Sequence, residues 1–219
     1  MSEVIIYGVP GSPYARMPML ACEEKGAPYR LVAMGPGDSR SAEHLARQPF
    51  GRIPAMEHDG FRLYEADAII RYIDQVFEGP SLVPADPKAQ ARMNQVMGIV
   101  DWYVMPSLSA GIGFNRIVAP VFGMPVDEAK VTAAIPMART CIQALEDILG
   151  DQAYFAGDRL SLADIMAVSH LEMVPWSPEG AELIAGSPLL AWLDRMAEHP
   201  SVAKTGMRKL MSLPELAVA

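Results

Sequence analysis

An α/β half followed by an all-helical half is the fold class the sequence predicts, and three observations predict it. Apolar, β-branched runs alternate with helical spacing up to about residue 78. The stretch "EGPSLVPADP" then crowds one glycine and three prolines into ten residues, the composition of a boundary loop. From Lys88 onward almost every apolar pattern has helical spacing. The expected organisation is an α/β domain over 1–78, a linker over 79–87 and a helical domain over 88–219.

Each element has its own signal. "EVIIYG" reads as a buried strand closed by a glycine, and the pattern turns helical from Arg16 to Lys25, where Gly26 is a natural stop. Pro18 deletes a backbone donor early in that helix, so a kink or a late start is expected. "YRLVAM" reads as a second strand and "SAEHLAR" as one or two helical turns. "IPAMEHDGFRLYE" is a hairpin signal, with Asp59-Gly60 suited to a turn that needs positive φ. In "ADAIIRYIDQVF" the apolar positions 69, 70, 73, 76 and 77 fall on one helical face. The resulting order is β-α-β-α-β-β-α. In the second half, "DRLSLADI" carries a capping box, Ser161 with Asp164 three residues on, and a hydrophobic staple of Leu160 and Ile165.

Bulk composition narrows the function. The chain has 219 residues, 51% hydrophobic and 20% charged, with a net charge of −8, which argues against a nucleic-acid partner. No basic run suggests a membrane surface, and no apolar run approaches the roughly 18 residues of a span. Glu3 stands where a signal peptide would want positive charge. Cys22 and Cys141 form no CxxC, and His44, His58, His170 and His199 have no metal-ligand spacing. A cytoplasmic protein without a metal is expected.

Three features of the first half bear on chemistry. Ser12 lies where a strand hands over to a helix, Ile53-Pro54 precedes a strand, and Glu65 ends a strand just before a helix. Helix N-termini present unpaired N–H groups to ligands, although Ser12 could equally be only a cap. "PGSPY" is not a G-x-S-x-G elbow, which disfavours a serine hydrolase.

Taken together, "GSPYAR", "QPFGRIPAMEHDGFRLYEADAIIRYI" and "GDRLSLADI" resemble the cytosolic glutathione transferase family over nearly the whole chain. Ser12 four residues before Arg16 and the "QPFGRIP" run look like a serine-type, phi/delta-like bacterial member. The first residue of that run departs from the family's asparagine. The resemblance implies a thioredoxin-like N-terminal domain with a mixed four-stranded sheet and an all-helical C-terminal domain. It implies glutathione as co-substrate, a small apolar electrophile as its partner in the reaction, and a homodimer active in detoxification. In that frame Ser12 activates the thiol, with Tyr14 as rival. Pro54 matches the family's cis-proline and Ile53 pairs with the cysteinyl unit. Glu65 and the Ala66 N–H hold the γ-glutamyl end, and Arg40 and Arg52 approach the remainder. Tyr14, Tyr103, Met105 and Phe114 are implied to line the electrophile pocket. Ala66 departs from the family's usual Glu-Ser pair, and Asp67 stands where many members have arginine. Alternatives are glutathione-dependent peroxide reduction, or a glutathione- or apolar-ligand-binding protein with little turnover.

Overall fold

A computed structural model of the protein describes residues 2–212. The chain divides into two compact units: residues 1–82 together with the segment from His199 onward, and residues 83–198.

In the first unit, β1 (Val4–Gly8) is followed by α1 (Pro13–Glu24), β2 (Tyr29–Ala33) and the short α2 (Ala42–Leu45). Next come β3 (Ala55–His58), β4 (Phe61–Tyr64) and α3 (Ala66–Val76). The strands form one sheet in the order β2-β1-β3-β4, parallel between β1 and β2 and antiparallel elsewhere. This is the mixed four-stranded sheet of a thioredoxin-like domain. Val4, Ile6 and Gly8 of β1 point to one buried face, as period-2 alternation dictates. A Cβ on Gly8 would come within 2.6 Å of the Ala15 Cβ, so glycine is what lets α1 lie this close to the sheet.

Helix α1 starts at Pro13, not at Arg16, and Pro18 lies inside it. The early start has a local cause. Pro13 occupies the first helical position, where its missing N–H costs nothing, and Ser12 is the N-cap. Proline at 18 therefore delays nothing. Arg16, Met17 and Leu20 are fully buried, and Arg16 Nε donates to Thr205 Oγ1 at 3.4 Å. That contact belongs to a return of the chain that its patterning does not announce. Helices α10 (Pro200–Lys204) and α11 (Met207–Leu210) rejoin the first unit, where Lys204 pairs with Glu23 at 2.7 Å and His199 with Glu24 at 3.1 Å. Cys22 is sealed in the same core, and burial pushes its thiol up to about 12.

The second unit is helical. Helix α4 (Pro87–Ile99) runs without a break into a wide helix, Val100–Val118, which is followed by the short α5 (Ala119–Val121). At the end of the wide helix the Ala119 N–H reaches back five residues to Phe114 O. Asn115 ties that end down, donating to Gly111 O at 2.8 Å and accepting from Asp127 N at 3.1 Å. The remaining helices of the unit are α6 (Glu128–Leu149), α7 (Leu162–Leu171), α8 (Pro178–Ile184) and α9 (Pro188–Glu198). Every residue of α7 is buried, its polar members Asp164, Ser169 and His170 included. Cys141 of α6 is also buried, and burial raises its thiol pKa.

The expected capping box forms and does more than cap. The Asp164 carboxylate accepts from Ser161 N (3.0 Å), Ser161 Oγ (2.8 Å), Phe155 N (3.0 Å) and Trp192 Nε1 (3.3 Å). It thereby joins the start of α7 to the preceding loop and to α9. Full burial pushes this carboxyl up to about 6, with the four donors pulling the other way. His170, at the far end of α7, pairs through Nδ1 with Ser109 Oγ at 2.7 Å, and burial alone lowers its pKa to about 3.

Two outcomes follow. Asp164→Ala strands several buried donors and should cost on the order of 3 kcal/mol, about 6–12 °C in Tm for a chain of this length. A Tm loss under about 2 °C would show the hub to be dispensable. His170 is harder to protonate folded than unfolded, so its contribution is complete above about pH 6.5 and is lost as pH falls towards 3. Asp164 works oppositely, its contribution fading as pH rises from about 4 to about 6. In His170→Asn the fall of Tm between pH 6.5 and 4 should become shallower; an unchanged slope in thermal melts would refute this.

Candidate active site

Strand register brings the candidate residues of the first unit to one end of the sheet. Tyr7 pairs with Ala55, and Ala55 with Tyr64. The chain leaving β1 towards Ser12, the chain entering β3 through Ile53-Pro54, and the chain leaving β4 into Glu65 therefore share that end. Gly8 pairs with Ala33, so the segment carrying Arg40 leaves from the same end.

Ser12 is half-buried at the head of α1. Its Oγ accepts from Ala15 N at a long 3.5 Å, which satisfies one of the orphan donors of the first turn. Capping uses an oxygen lone pair and leaves the hydroxyl proton available, so Ser12 can cap and donate together. Tyr14, half-buried, lies two residues further along, in the first turn of the same helix.

The Ile53-Pro54 peptide is cis, as the resemblance implied. Among the described residues, no hydrogen bond joins the Ile53 N–H or C=O to another backbone group. Both are open to an extended ligand strand. Arg40 and Arg52 are exposed. Arg40 Nη1 donates to Phe50 O at 3.4 Å, and its guanidinium lies across Gly51, where a Cβ would stand 2.8 Å from Nη1.

Glu65 is an outlier. It is exposed, caps nothing with its side chain, and holds φ 72 and ψ 116, a conformation that costs a non-glycine residue about 1–3 kcal/mol. Ala66 follows as the first residue of α3, so its N–H is one of that helix's orphan donors. Asp67 is engaged by Arg71 at 3.0 Å, one turn along, which offsets its charge near the helix head.

Tyr103, Met105 and Phe114 belong to the second unit, on the wide helix, where Tyr103 and Phe114 are exposed and Met105 is half-buried. Two residues outside the expected set hold the Arg52 backbone. His44 Nε2 lies 2.6 Å from Arg52 O, and Gln48 Oε1 accepts from Arg52 N at 3.0 Å. The only sequence sign of them was their place in "SAEHLARQPFG", beside the proline loop. Among the described residues no cluster of three or more His, Cys, Asp or Glu side chains could hold a metal ion, and no helix is long and apolar enough to cross a membrane.

A mixed four-stranded sheet with a hydroxyl at a helix head, a cis-proline and an acid before a second helix at one end defines a thioredoxin-like domain. Comparison with known proteins gives the family. Residues 6–81 match the glutathione S-transferase N-terminal domain and residues 97–200 the glutathione S-transferase C-terminal domain. Glutathione S-transferase 4 of Zea mays is 32% identical over 206 residues, covering 92% of this chain and 91% of that protein. Glutathione transferase F7 from Populus trichocarpa superposes with a TM-score of 0.84 at 27% identity, over 95% of this chain and 99% of that one. Glutathione S-transferase I from mais, solved in complex with an atrazine glutathione conjugate, gives 0.82 at 28% identity, over 95% and 98%. The chain belongs to the glutathione S-transferase family.

Glu65 supplies a test that separates fold from site. Glu65→Gly removes the positive-φ penalty but gives the unfolded chain more freedom, so stability should stay within about 1 kcal/mol of the unaltered chain. If Glu65 holds the glutathione ammonium group, affinity read by calorimetry should fall about tenfold or more through loss of that charge-assisted contact. Unchanged affinity would remove Glu65 from the site.

Proposed function

We propose that this protein is a serine-type glutathione transferase, joining the glutathione thiolate to small apolar electrophiles. The observation that carries the reading is the meeting of Ser12, the open Ile53 backbone and Glu65-Ala66 at one end of the sheet. An extended tripeptide pairs its cysteinyl unit with Ile53, its γ-glutamyl ammonium with Glu65 and its γ-glutamyl carboxylate with the Ala66 N–H. Arg40 and Arg52 supply positive charge at the glycyl end. Its thiol then faces Ser12.

The energetics suffice. A free thiol with pKa of about 8.5 must drop by about two units to be mostly ionised near neutral pH, a cost of about 2.7 kcal/mol. A hydrogen bond to a charged acceptor supplies about 1.5–3 kcal/mol. A helix N-terminus adds about 0.3–1. Ser12 at the head of α1 offers both. The thiol proton leaves to solvent, the thiolate sulfur forms the new bond to carbon, and the leaving group departs with its electron pair.

Ala66 offers no hydroxyl, so glutathione is held by one contact fewer than in members with serine there. We further propose a homodimer in the cytoplasm, with a detoxifying role. Phe50, 63% exposed and edge-on to Tyr64, is apolar surface that a second copy would cover, which size-exclusion chromatography can check.

Retention on immobilised glutathione followed by a chlorodinitrobenzene assay tests the activity; retention without turnover would favour the binding-protein alternative. Ser12→Ala should raise the bound thiol's pKa by about one to two units, so activity drops strongly near pH 6.5 and partly recovers towards pH 9. A pH profile identical to that of the unaltered chain would reduce Ser12 to a cap and pass the role to Tyr14, tested by Tyr14→Phe. Ala66→Ser should tighten glutathione binding by a factor of about two to thirteen.

A further inference from the structure

The backbone at Ile53 has to be aimed before it can pair with a ligand, and a loop residue has no ladder to aim it. The residue before it, Arg52, is exposed, yet both of its backbone polar groups are held by buried side chains. Gln48, 1% exposed, accepts from Arg52 N at 3.0 Å. His44, 2% exposed, meets Arg52 O at 2.6 Å through Nε2. A carbonyl only accepts, so Nε2 carries a proton and donates it to Arg52 O. The ring itself is fixed at its root. His44 N donates to Ser41 Oγ at 3.2 Å, and His44 O accepts from Arg47 N and Gln48 N, each at 2.8 Å. Gly51 N in turn donates to Gln48 O at 3.0 Å, closing the turn between Gln48 and Arg52.

We infer that His44 is a positioning residue for glutathione, clamping the Arg52 carbonyl so that the Ile53 N–H and C=O are preset for the tripeptide. Gln48 holds the other side of the same residue. The inference rests on the glutathione site proposed above. A group that presets a backbone lowers the cost of ordering it at the moment of binding. Its loss should therefore appear in glutathione binding and not in the chemical step.

Three full-length variants test this, each assayed with chlorodinitrobenzene at varied glutathione, titrated with glutathione by calorimetry and melted. His44→Leu should raise the glutathione KM and Kd about 5- to 20-fold, the effect of one lost buried hydrogen bond. At saturating glutathione its kcat should stay within about twofold of the unaltered chain, and the chlorodinitrobenzene KM should not move. His44→Gln, whose amide N–H reaches the place of Nε2–H, should recover most of the affinity. Gln48→Met removes the acceptor on the other side and should repeat the His44→Leu pattern. It decides the matter if His44→Leu does not fold. Unchanged glutathione KM, or a joint fall of kcat, both affinities and Tm without rescue by glutamine, overturns the inference. If the unaltered chain binds no glutathione, the underlying site falls and this inference with it; if it binds and the variants match it, the inference alone falls.

Discussion

The pairing of β1 with β3 decides where everything else in the first unit can be. Ile5, Ile6 and Tyr7 meet Glu57, Met56 and Ala55 in antiparallel register, while β2 runs parallel to β1 on the other side. A slip of one residue would reverse which side chains of β3 face each side of the sheet. It would also carry Ile53-Pro54 past the loop that holds Ser12. The candidate residues are thus brought to one end of the sheet by the hydrogen bonds of the ladder. Such a site is precise because strands, and not loops, set its spacing.

Local conformations then refine what the ladder places. Pro13 and Ser12 start α1 at once, so the hydroxyl stands at the head of a helix whose first N–H groups have few partners. Glu65 accepts an unfavourable φ at the corresponding point before α3. Arg52 is gripped on both sides, by His44 of α2 and by Gln48 just beyond it. Three loops are each fixed by a different device, and none uses a metal-type cluster or a cysteine.

Much of this was legible in the residues. The strands announced themselves by β-branched runs, the hairpin by "HDG", and α7 by its capping box. The candidate site was legible because its motifs sit at strand ends, where register makes them meet. What escaped reading did so for physical reasons. Nothing in an apolar pattern separates helical spacing with four-residue bonds from the wider turns between Val100 and Val118, because both bury a similar stripe. The start of α1 was misplaced because proline reads as a breaker unless its position in the first turn is known. Nothing in the sequence pairs His44 or Gln48 with Arg52; only the return of that loop over them brings the three together. The partnership of Arg16 with Thr205 spans almost the whole chain, beyond any local signal.

That last pairing makes the first unit discontinuous in the order of synthesis. Residues up to 82 emerge first, but the segment from His199 that completes their packing follows more than a hundred residues later. At ~5–20 residues per second of translation, the gap is on the order of ten seconds. Throughout it the nascent α1 carries Arg16, an arginine destined for full burial, without the threonine that will receive it. The first unit thus waits for the second to be made, and a gene fragment ending at the linker encodes an unfinished domain.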